Sequence, residues 1–273
     1  MDQARLQDIS ETFYLNELAF TGLGSALFVV LWRSFSPIRH PTYADFLSPH
    51  RIEKAFLPGL VRGAALSTTL LLVLAALGFH QVIGFYLAWE QSPSILLGFV
   101  FRTISLFALI YAEEFIFRHR LLSHFRMRWG DSVAVVLTSA FYLGIKNLQF
   151  DPGVLQSAAF TLVSIILARR VILNKDFAQG AGLYAGLLLV IHPLASLPIF
   201  GNEYQGFFLI KSQGLEGIEP SAARWISGGA GGPFGSIFFL MIVGIEAYFQ
   251  ENTKFFTNLW NDWRKSRILK SES

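Results

Sequence analysis

Long apolar stretches separated by short polar segments run along most of the chain. A transmembrane helix needs about 20 mostly apolar residues, and seven stretches are close to that length. They lie near residues 13–32, 57–78, 94–114, 132–148, 154–172, 180–200 and 233–249. The first stretch is the weakest candidate, because Asn16 and Glu17 lie inside it and Gly22 and Gly24 lower its helix propensity. The pattern predicts an all-α fold, with one polytopic membrane domain over residues 1–273 and about seven transmembrane helices.

Three other segments do not read as spans. Residues 79–89 are predicted to extend the second helix or to lie in the membrane interface. Residues 204–210 are apolar but too short to cross a bilayer. Residues 226–235 contain four glycines before Pro233, and we expect a flexible connection into the last helix.

The composition supports a membrane protein. Of the 273 residues, 53% are hydrophobic and 15% are charged, and the mean hydropathy is +0.46, whereas about a quarter of the residues in a soluble protein are charged. The absence of cysteine excludes disulfides and thiolate metal sites. The net charge of +3 is modest. The expected partner is the lipid bilayer, and no nucleic acid is expected.

Basic residues are unevenly divided between the loops. Sixteen of the 22 Lys and Arg residues lie in 33–56, 118–131, 169–179 and 250–273. The alternate loops hold three. Because cytoplasmic loops carry the excess of Lys and Arg, the N-terminus is predicted outside and the C-terminus in the cytoplasm. Arg62, Arg102 and Lys146 fall within spans. We interpret Arg62, Arg102 and Glu246 as interfacial anchors or helix-packing partners.

The final segment, residues 250–273, is predicted to be a cytoplasmic amphipathic helix. Apolar side chains recur there at helical spacing and basic ones follow them, which is typical of a helix on an anionic membrane surface. A helix that binds a partner protein is the alternative. The apolar residues are Phe255, Phe256, Leu259, Trp260 and Trp263, and the basic residues are Arg264, Lys265, Arg267 and Lys270.

Two adjacent glutamates and an arginine follow the third apolar stretch, at its predicted cytoplasmic end. Glu114 and Arg118 are four residues apart, so they share one face of a helix and can pair. Glu113 lies about 100° around the helix from Glu114, outside that pair. One carboxylate held by arginine beside one left available suits acid/base chemistry. The alternative is a helix boundary with a collar of basic residues.

Lys146 and His192 lie inside the fourth and sixth stretches. Lys146, near the far end of its span, could extend to the outer interface, pair with a glutamate, or act after desolvation. His192 precedes Pro193, which removes a backbone hydrogen bond and tends to kink a helix. Ser196 follows four residues later and would share the helical face of His192. A histidine hydrogen-bonded between helices, without a catalytic role, is the alternative.

The sequence does not favour a metal or a cofactor. It contains no His-Glu-x-x-His element. His119 and His124 are five residues apart, which places them about 140° apart on a helix. Two glutamates and one histidine could form only a weak site. No serine lies in the context of a nucleophile elbow.

Residues 95–200 resemble the CPBP family, which comprises membrane-embedded CAAX proteases and bacteriocin-processing or bacteriocin-immunity proteins. The family carries a Glu-Glu-x-x-x-Arg motif, an aromatic-x-x-x-His motif and a His-x-x-x-Asn motif on successive helices. Glu113, Glu114 and Arg118 match the first motif completely.

The second and third motifs depart from the family pattern. Tyr142 begins the second, but Lys146 stands where the family has histidine. His192 begins the third, but Ser196 stands where the family has asparagine. Lysine normally stays charged where histidine exchanges protons near neutral pH. An ion pair between Lys146 and Glu113 would make the glutamate a weaker base.

The resemblance implies an intramembrane endopeptidase that cuts membrane-anchored peptides near the cytoplasmic side. In that scheme Glu113 activates a water, assisted by the second-motif residue. Glu114 is held by Arg118. His192 and Ser196 stabilise the oxyanion. Because the family is widespread in bacteria, the resemblance also implies the bacterial cytoplasmic membrane.

Two other functions remain open on the sequence. A non-catalytic membrane binding protein, such as an immunity-type factor or a pseudoprotease, would use the same cavity, and Lys146 favours it. A small transporter would use Glu113, Lys146 and His192 as a relay. The lack of a visible internal repeat and of paired broken helices counts against the transporter.

Overall fold

The computed structural model describes residues 52–85, 92–149, 153–174, 177–197, 207–212 and 220–251. These residues are mostly helical, which confirms the helical part of the predicted fold class. The predicted span at 13–32 and the tail helix beyond residue 251 lie outside the described residues. Each of the other six predicted spans overlaps a helix. Their number of membrane crossings and the orientation of the termini stay predictions.

The described residues form seven α-helices and two strands. In chain order these are α1 (Leu57–Ala76), β1 (His80–Phe85), α2 (Ser92–Glu114), α3 (Leu122–Gln149), α4 (Val154–Asn174), α5 (Ala178–Leu189), β2 (Phe208–Ser212), α6 (Pro220–Ser227) and α7 (Ile237–Glu251). Three π-helical turns precede α1, join α2 to α3 and end α5. They are Ile52–Phe56, Phe115–Leu121 and Val190–Leu194.

Two helices of the described residues are long and apolar enough to cross a membrane, Lys54–Ala76 and Val154–Asn174. Ala178–Leu194 and Ile237–Gln250 are shorter apolar helices. The first of the long helices also turns large apolar side chains outward, and Leu72 is 65% exposed. An outward apolar surface of this kind is typical of a membrane or protein contact.

Helix α5 is the central element of the fold. Every residue from 181 to 188 is buried, as expected for a helix that is apolar on all sides. Helix α1 packs along its length, and α2 and α4 also contact it. Side chains that point from α2 toward the centre of the bundle therefore meet α5.

Two pairs of glycines allow α1 and α5 to approach closely. Gly59 and Gly63 lie on α1, and Gly182 and Gly186 lie on α5. A Cβ atom at any of the four would overlap the facing backbone, which for Gly182 is the carbonyl of Phe56 in the turn before α1. Both pairs have the small-x-x-x-small spacing that lets membrane helices pack backbone against backbone.

Helix α2, the turn Phe115–Leu121 and α3 form a helical hairpin that reverses at Gly130. Gly130 has φ +80° and ψ 176°, a conformation that favours glycine. The segment of α3 after Gly130 returns past the π-helical turn, and the rings of Tyr142 and Phe117 meet edge to face at 5.2 Å. The predicted span at 132–148 is this returning segment.

Strands β1 and β2 form an antiparallel sheet that the sequence analysis did not predict. His80 pairs with Ser212 at one end of the register. Gly78, with φ +79°, ends the preceding helix in the left-handed conformation that glycine adopts readily. The expectation that residues 79–89 extend the second helix is therefore wrong for the described part, residues 79–85.

Residues 226–235 are packed helical turns. Helix α6 is followed by a 3₁₀ turn, Gly229–Gly235. Phe234 in that turn is buried and its ring lies 4.4 Å from that of Phe239. This segment therefore contributes a core side chain to the bundle, and the flexibility expected from its glycines stays a prediction.

Candidate active site

Glu114 and Arg118 form a completely buried ion pair. The Nε atom of Arg118 lies 3.6 Å from Oε1 of Glu114, and neither side chain has any exposed surface. The guanidinium of Arg118 also lies 4.7 Å from the centre of the Tyr142 ring, within the range of a cation–π contact. The contact that the four-residue spacing predicts is present.

Glu113 points to a different partner, Lys146. The Nζ atom of Lys146 donates to Oε1 of Glu113, and the Tyr142 hydroxyl donates to Oε2 at 3.4 Å. Only 2% of the Lys146 side chain is exposed, against 11% for Glu113. Extension of Lys146 to the outer interface is therefore wrong, and its pairing with a glutamate is confirmed.

Tyr184 from α5 joins this cluster through its hydroxyl. The hydroxyls of Tyr184 and Tyr142 lie 2.8 Å apart, and both side chains are buried. A continuous polar path therefore runs from Tyr184 through Tyr142 to the carboxylate of Glu113. Buried networks of this kind are strong when satisfied, because the surrounding dielectric is low.

The first turn of α5 lies against Glu114. A Cβ atom at Gly180 would sit 3.7 Å from Oε2 of Glu114. The N-terminal end of a helix carries partial positive charge. The start of α5 and Arg118 therefore both face the buried carboxyl group of Glu114.

The π-helical turn Phe115–Leu121 follows the two glutamates directly. The backbone N–H of Leu122 donates to the carbonyl of Phe117, five residues back. Turns of this type change which face the following side chains occupy, and they occur frequently at functional sites. The regular helix α2 therefore ends at the glutamates, and Arg118 lies on the distorted turn.

His192 lies buried in the turn Val190–Leu194 that ends α5. This turn contacts α1 and α2. The helical path stops there, and Ser196 has φ +54°, so the expectation that His192 and Ser196 share a helical face is wrong. The Ser196 hydroxyl donates to the carbonyl of Phe208 at 2.6 Å. Ser196 therefore ties β2 to the end of α5.

The structure thus brings four of the six predicted site residues into one cluster, Glu113, Glu114, Arg118 and Lys146. His192 and Ser196 belong to the segment that ends the central helix. A shared role of His192 and Glu113 stays a prediction.

The contact between Glu113 and Lys146 also corrects their predicted depths. The sequence pattern predicts Glu113 at the cytoplasmic end of one span and Lys146 near the opposite end of the next. The two residues cannot lie at opposite ends of neighbouring spans, because side chains in contact lie at the same depth in the membrane. Lys146 is sixteen residues beyond Gly130, about 24 Å along a helix. The pair is therefore remote from the tip of the hairpin.

Sequence reasoning missed Tyr184 and treated Tyr142 only as the aromatic position of a motif. A usable signal was present, because Tyr184 is a hydroxyl-bearing residue between Gly182 and Gly186, in a helix whose other polar side chain, Gln179, lies in the first turn. Close helix approach at the glycines brings the adjacent tyrosine into the core.

The cluster offers a carboxylate, an ammonium group and two phenols for proton transfer and charge stabilisation. In the described ranges, no group of three or more His, Cys, Asp or Glu residues could hold a metal ion. The carboxylate, ammonium and phenol groups of the cluster suit acid/base or anion-stabilising chemistry on a small polar group.

No family model, curated protein or solved structure matches this chain. The likeness to the CPBP family therefore depends on the motif residues, above all Glu113, Glu114 and Arg118.

Proposed function

We propose that the chain is an integral membrane protein and a CPBP-like intramembrane endopeptidase. Its substrate is a membrane-anchored peptide or protein, and Glu113 activates the water that hydrolyses the peptide bond. The observation that carries the proposal is the difference between the two glutamates. Glu114 and Arg118 are sealed in the core, whereas Glu113 keeps an exposed edge beside a buried ammonium group.

The proposed reaction begins with proton transfer from water to Glu113. The resulting hydroxide attacks the substrate carbonyl carbon, and a tetrahedral oxyanion forms. Once Glu113 is protonated it no longer holds the charge of Lys146, so the ammonium group can turn to the oxyanion. Glu113 then gives its proton to the leaving amine. Tyr142 keeps the carboxylate oriented throughout.

A binding protein without hydrolytic activity is the second candidate. Both carboxylate oxygens of Glu113 already have donors, Lys146 and Tyr142. A general base needs an oxygen within reach of the water that it deprotonates, and both oxygens are engaged by other donors. The same cluster would then hold a polar group of a peptide, as in an immunity-type factor. A transporter with a Glu/Lys/His relay is the weaker third candidate.

The proposal includes the membrane and the orientation. Seven spans, an external N-terminus and a cytoplasmic C-terminus follow from the apolar stretches and the basic loops. The bacterial cytoplasmic membrane follows from the CPBP resemblance. Two of the sixteen basic residues assigned to cytoplasmic loops, Arg118 and Arg170, are buried. The remaining fourteen still outnumber the three basic residues of the alternate loops.

The test is a cleavage assay in membranes with a library of membrane-anchored peptides. Wild type is compared with Glu113→Gln, with Lys146→His and with the control Asp131→Asn, an exposed acid at the hairpin tip. Loss of a general base lowers the rate about 10²–10⁴-fold. We expect that loss in Glu113→Gln and none in Asp131→Asn.

The outcomes separate the candidates. A Glu113→Gln variant that cleaves as fast as wild type contradicts the peptidase. A silent wild type beside an active Lys146→His variant supports the binding protein, because restoring the family histidine then restores a decayed site.

A further inference from the structure

Three charged side chains from three helices meet at a second place in the bundle. Glu246 of α7 accepts hydrogen bonds from Arg62 of α1 and from Arg170 of α4. The Nε and one terminal nitrogen of Arg62 lie 3.0 and 2.9 Å from the same carboxylate oxygen. The prediction that Arg62 and Glu246 are helix-packing partners is therefore confirmed. The side chain of Arg102 lies outside the described residues.

Among the described residues, this cluster has one more positive charge than negative charge. Two guanidinium groups face one carboxylate, and the Arg170 and Glu246 side chains are only 3% and 4% exposed. The Nε of Arg170 is buried and has no hydrogen-bond partner among the described residues. The buried pair of Arg170 and Glu246 is balanced, and the additional positive charge belongs to Arg62. The cluster therefore has room, electrostatically, for one anion.

The cluster is open on one side. The Arg62 side chain is 41% exposed, so an anion can reach it without unfolding the bundle. Arginine presents several N–H donors in a planar fork that matches a phosphate group. The donors that remain on Arg62 and Arg170 are of the kind that phosphate requires.

The position along the helices indicates where that phosphate comes from. Arg62 lies eight residues after the start of the long helix Lys54–Ala76, Arg170 four residues before the end of α4, and Glu246 five residues before the end of α7. These offsets correspond to about 6–12 Å along a helix. The ends of membrane-spanning helices lie at the level of the lipid headgroups.

We propose that Arg62 and Arg170 bind the headgroup phosphate of an anionic phospholipid between α1, α4 and α7. The phosphate completes a neutral set of two arginines, one glutamate and one phosphate. This inference rests on the membrane location proposed above and does not depend on peptide hydrolysis. If the chain binds the lipid but cleaves no peptide, the proposed hydrolysis is refuted and the lipid site is not.

The experiment uses the purified full chain in a non-ionic detergent. Native mass spectrometry and titration measure the binding of dioctanoyl phosphatidylglycerol, of dioctanoyl phosphatidylcholine and of inorganic phosphate. We expect the wild type to bind phosphatidylglycerol in preference to the other two. Inorganic phosphate that binds as tightly as this lipid would replace the lipid with a free anion as the ligand. Equal binding of phosphatidylglycerol and phosphatidylcholine would overturn the proposal that the site recognises an anionic headgroup.

Variants with opposite expected effects test the residues. Arg62→Gln leaves Arg170 and Glu246 as a one-to-one pair, so it should fold and bind phosphatidylglycerol at least about fivefold more weakly. Glu246→Gln adds to the excess positive charge and should bind it more tightly. Arg169→Gln, an exposed neighbour on the same helix, should bind it as wild type does. Unchanged binding in Arg62→Gln would reduce the cluster to a contact between helices.

Discussion

At the residue scale, adjacent positions in the chain have opposite surroundings. Glu114 is sealed between Arg118 and the first turn of α5, whereas Glu113 reaches Lys146 and keeps some exposed surface. One step along a helix turns a side chain by about 100°. That rotation is enough to separate a completely buried carboxyl group from one whose side chain keeps 11% exposure.

The buried ion pair predicts a large difference between a single and a double substitution. Arg118→Met leaves Glu114 as a buried charge without its partner and should lower the free energy of unfolding by about 3–5 kcal/mol. The double variant Glu114→Gln/Arg118→Met removes both charges and should lose much less. Thermal unfolding in detergent measures both, and equal losses would contradict the argument.

The two tyrosine hydroxyls predict a smaller effect. Tyr184→Phe removes the hydroxyl that contacts Tyr142 and should cost about 1 kcal/mol of stability. Tyr248→Phe is the matched control, because Tyr248 is 60% exposed. Unfolding of the three proteins is compared under one condition. A control that loses as much as Tyr184→Phe would show that the hydroxyl contact contributes nothing.

The sequence predicts the Glu114–Arg118 contact because a four-residue spacing is local geometry. The contact of Lys146 with Glu113 spans 33 residues, and apolar periodicity left it as one of three alternatives. Its depth was misplaced because each span was assigned ends separately, without knowledge of how the hairpin pairs. Tyr184 was missed because only the close approach of α1 and α5 brings it to the cluster.

At the element scale, the helices were predictable and their irregularities were not. Apolar runs of about 20 residues have few structural solutions, so the helices stand close to their predicted places. Strands of five or six residues are ambiguous by periodicity alone, and β1 and β2 went unrecognised. The π-helical turns have no simple pattern in the sequence. They are nevertheless the elements that carry Arg118 and His192.

The glycine contact between α1 and α5 predicts an unusually damaging alanine substitution. Gly63→Ala places a Cβ atom on the backbone of α5 and should cost at least about 1–3 kcal/mol. Gly144→Ala is the matched control, because that helical glycine has no heavy atom within 4 Å of the new Cβ. It should gain about 0.5–1 kcal/mol from helix propensity. Similar unfolding temperatures for the two variants would contradict the packing.

At the scale of the whole molecule, the proposed orientation predicts which surfaces face the cytoplasm. The chain has no cysteine, so each introduced thiol is the only one. Ser132→Cys at the hairpin tip and Gly153→Cys between α3 and α4 are both exposed positions. A membrane-impermeant maleimide should label Gly153→Cys in spheroplasts and Ser132→Cys only in inverted vesicles. The reverse pattern would invert the topology, and labelling of both from one side would remove the span between them.

The sheet of β1 and β2 also bears on the order in which the molecule is completed. Its paired ends, His80 and Ser212, are 132 residues apart, and closing so long a loop is slow compared with forming helices. Strand β2 is attached to the end of α5, because the N–H of Phe207, the residue before β2, donates to the carbonyl of Pro193. We therefore expect the sheet of β1 and β2 to form last during synthesis. The turn that holds His192 would then reach its final form only after almost all of the bundle has left the ribosome.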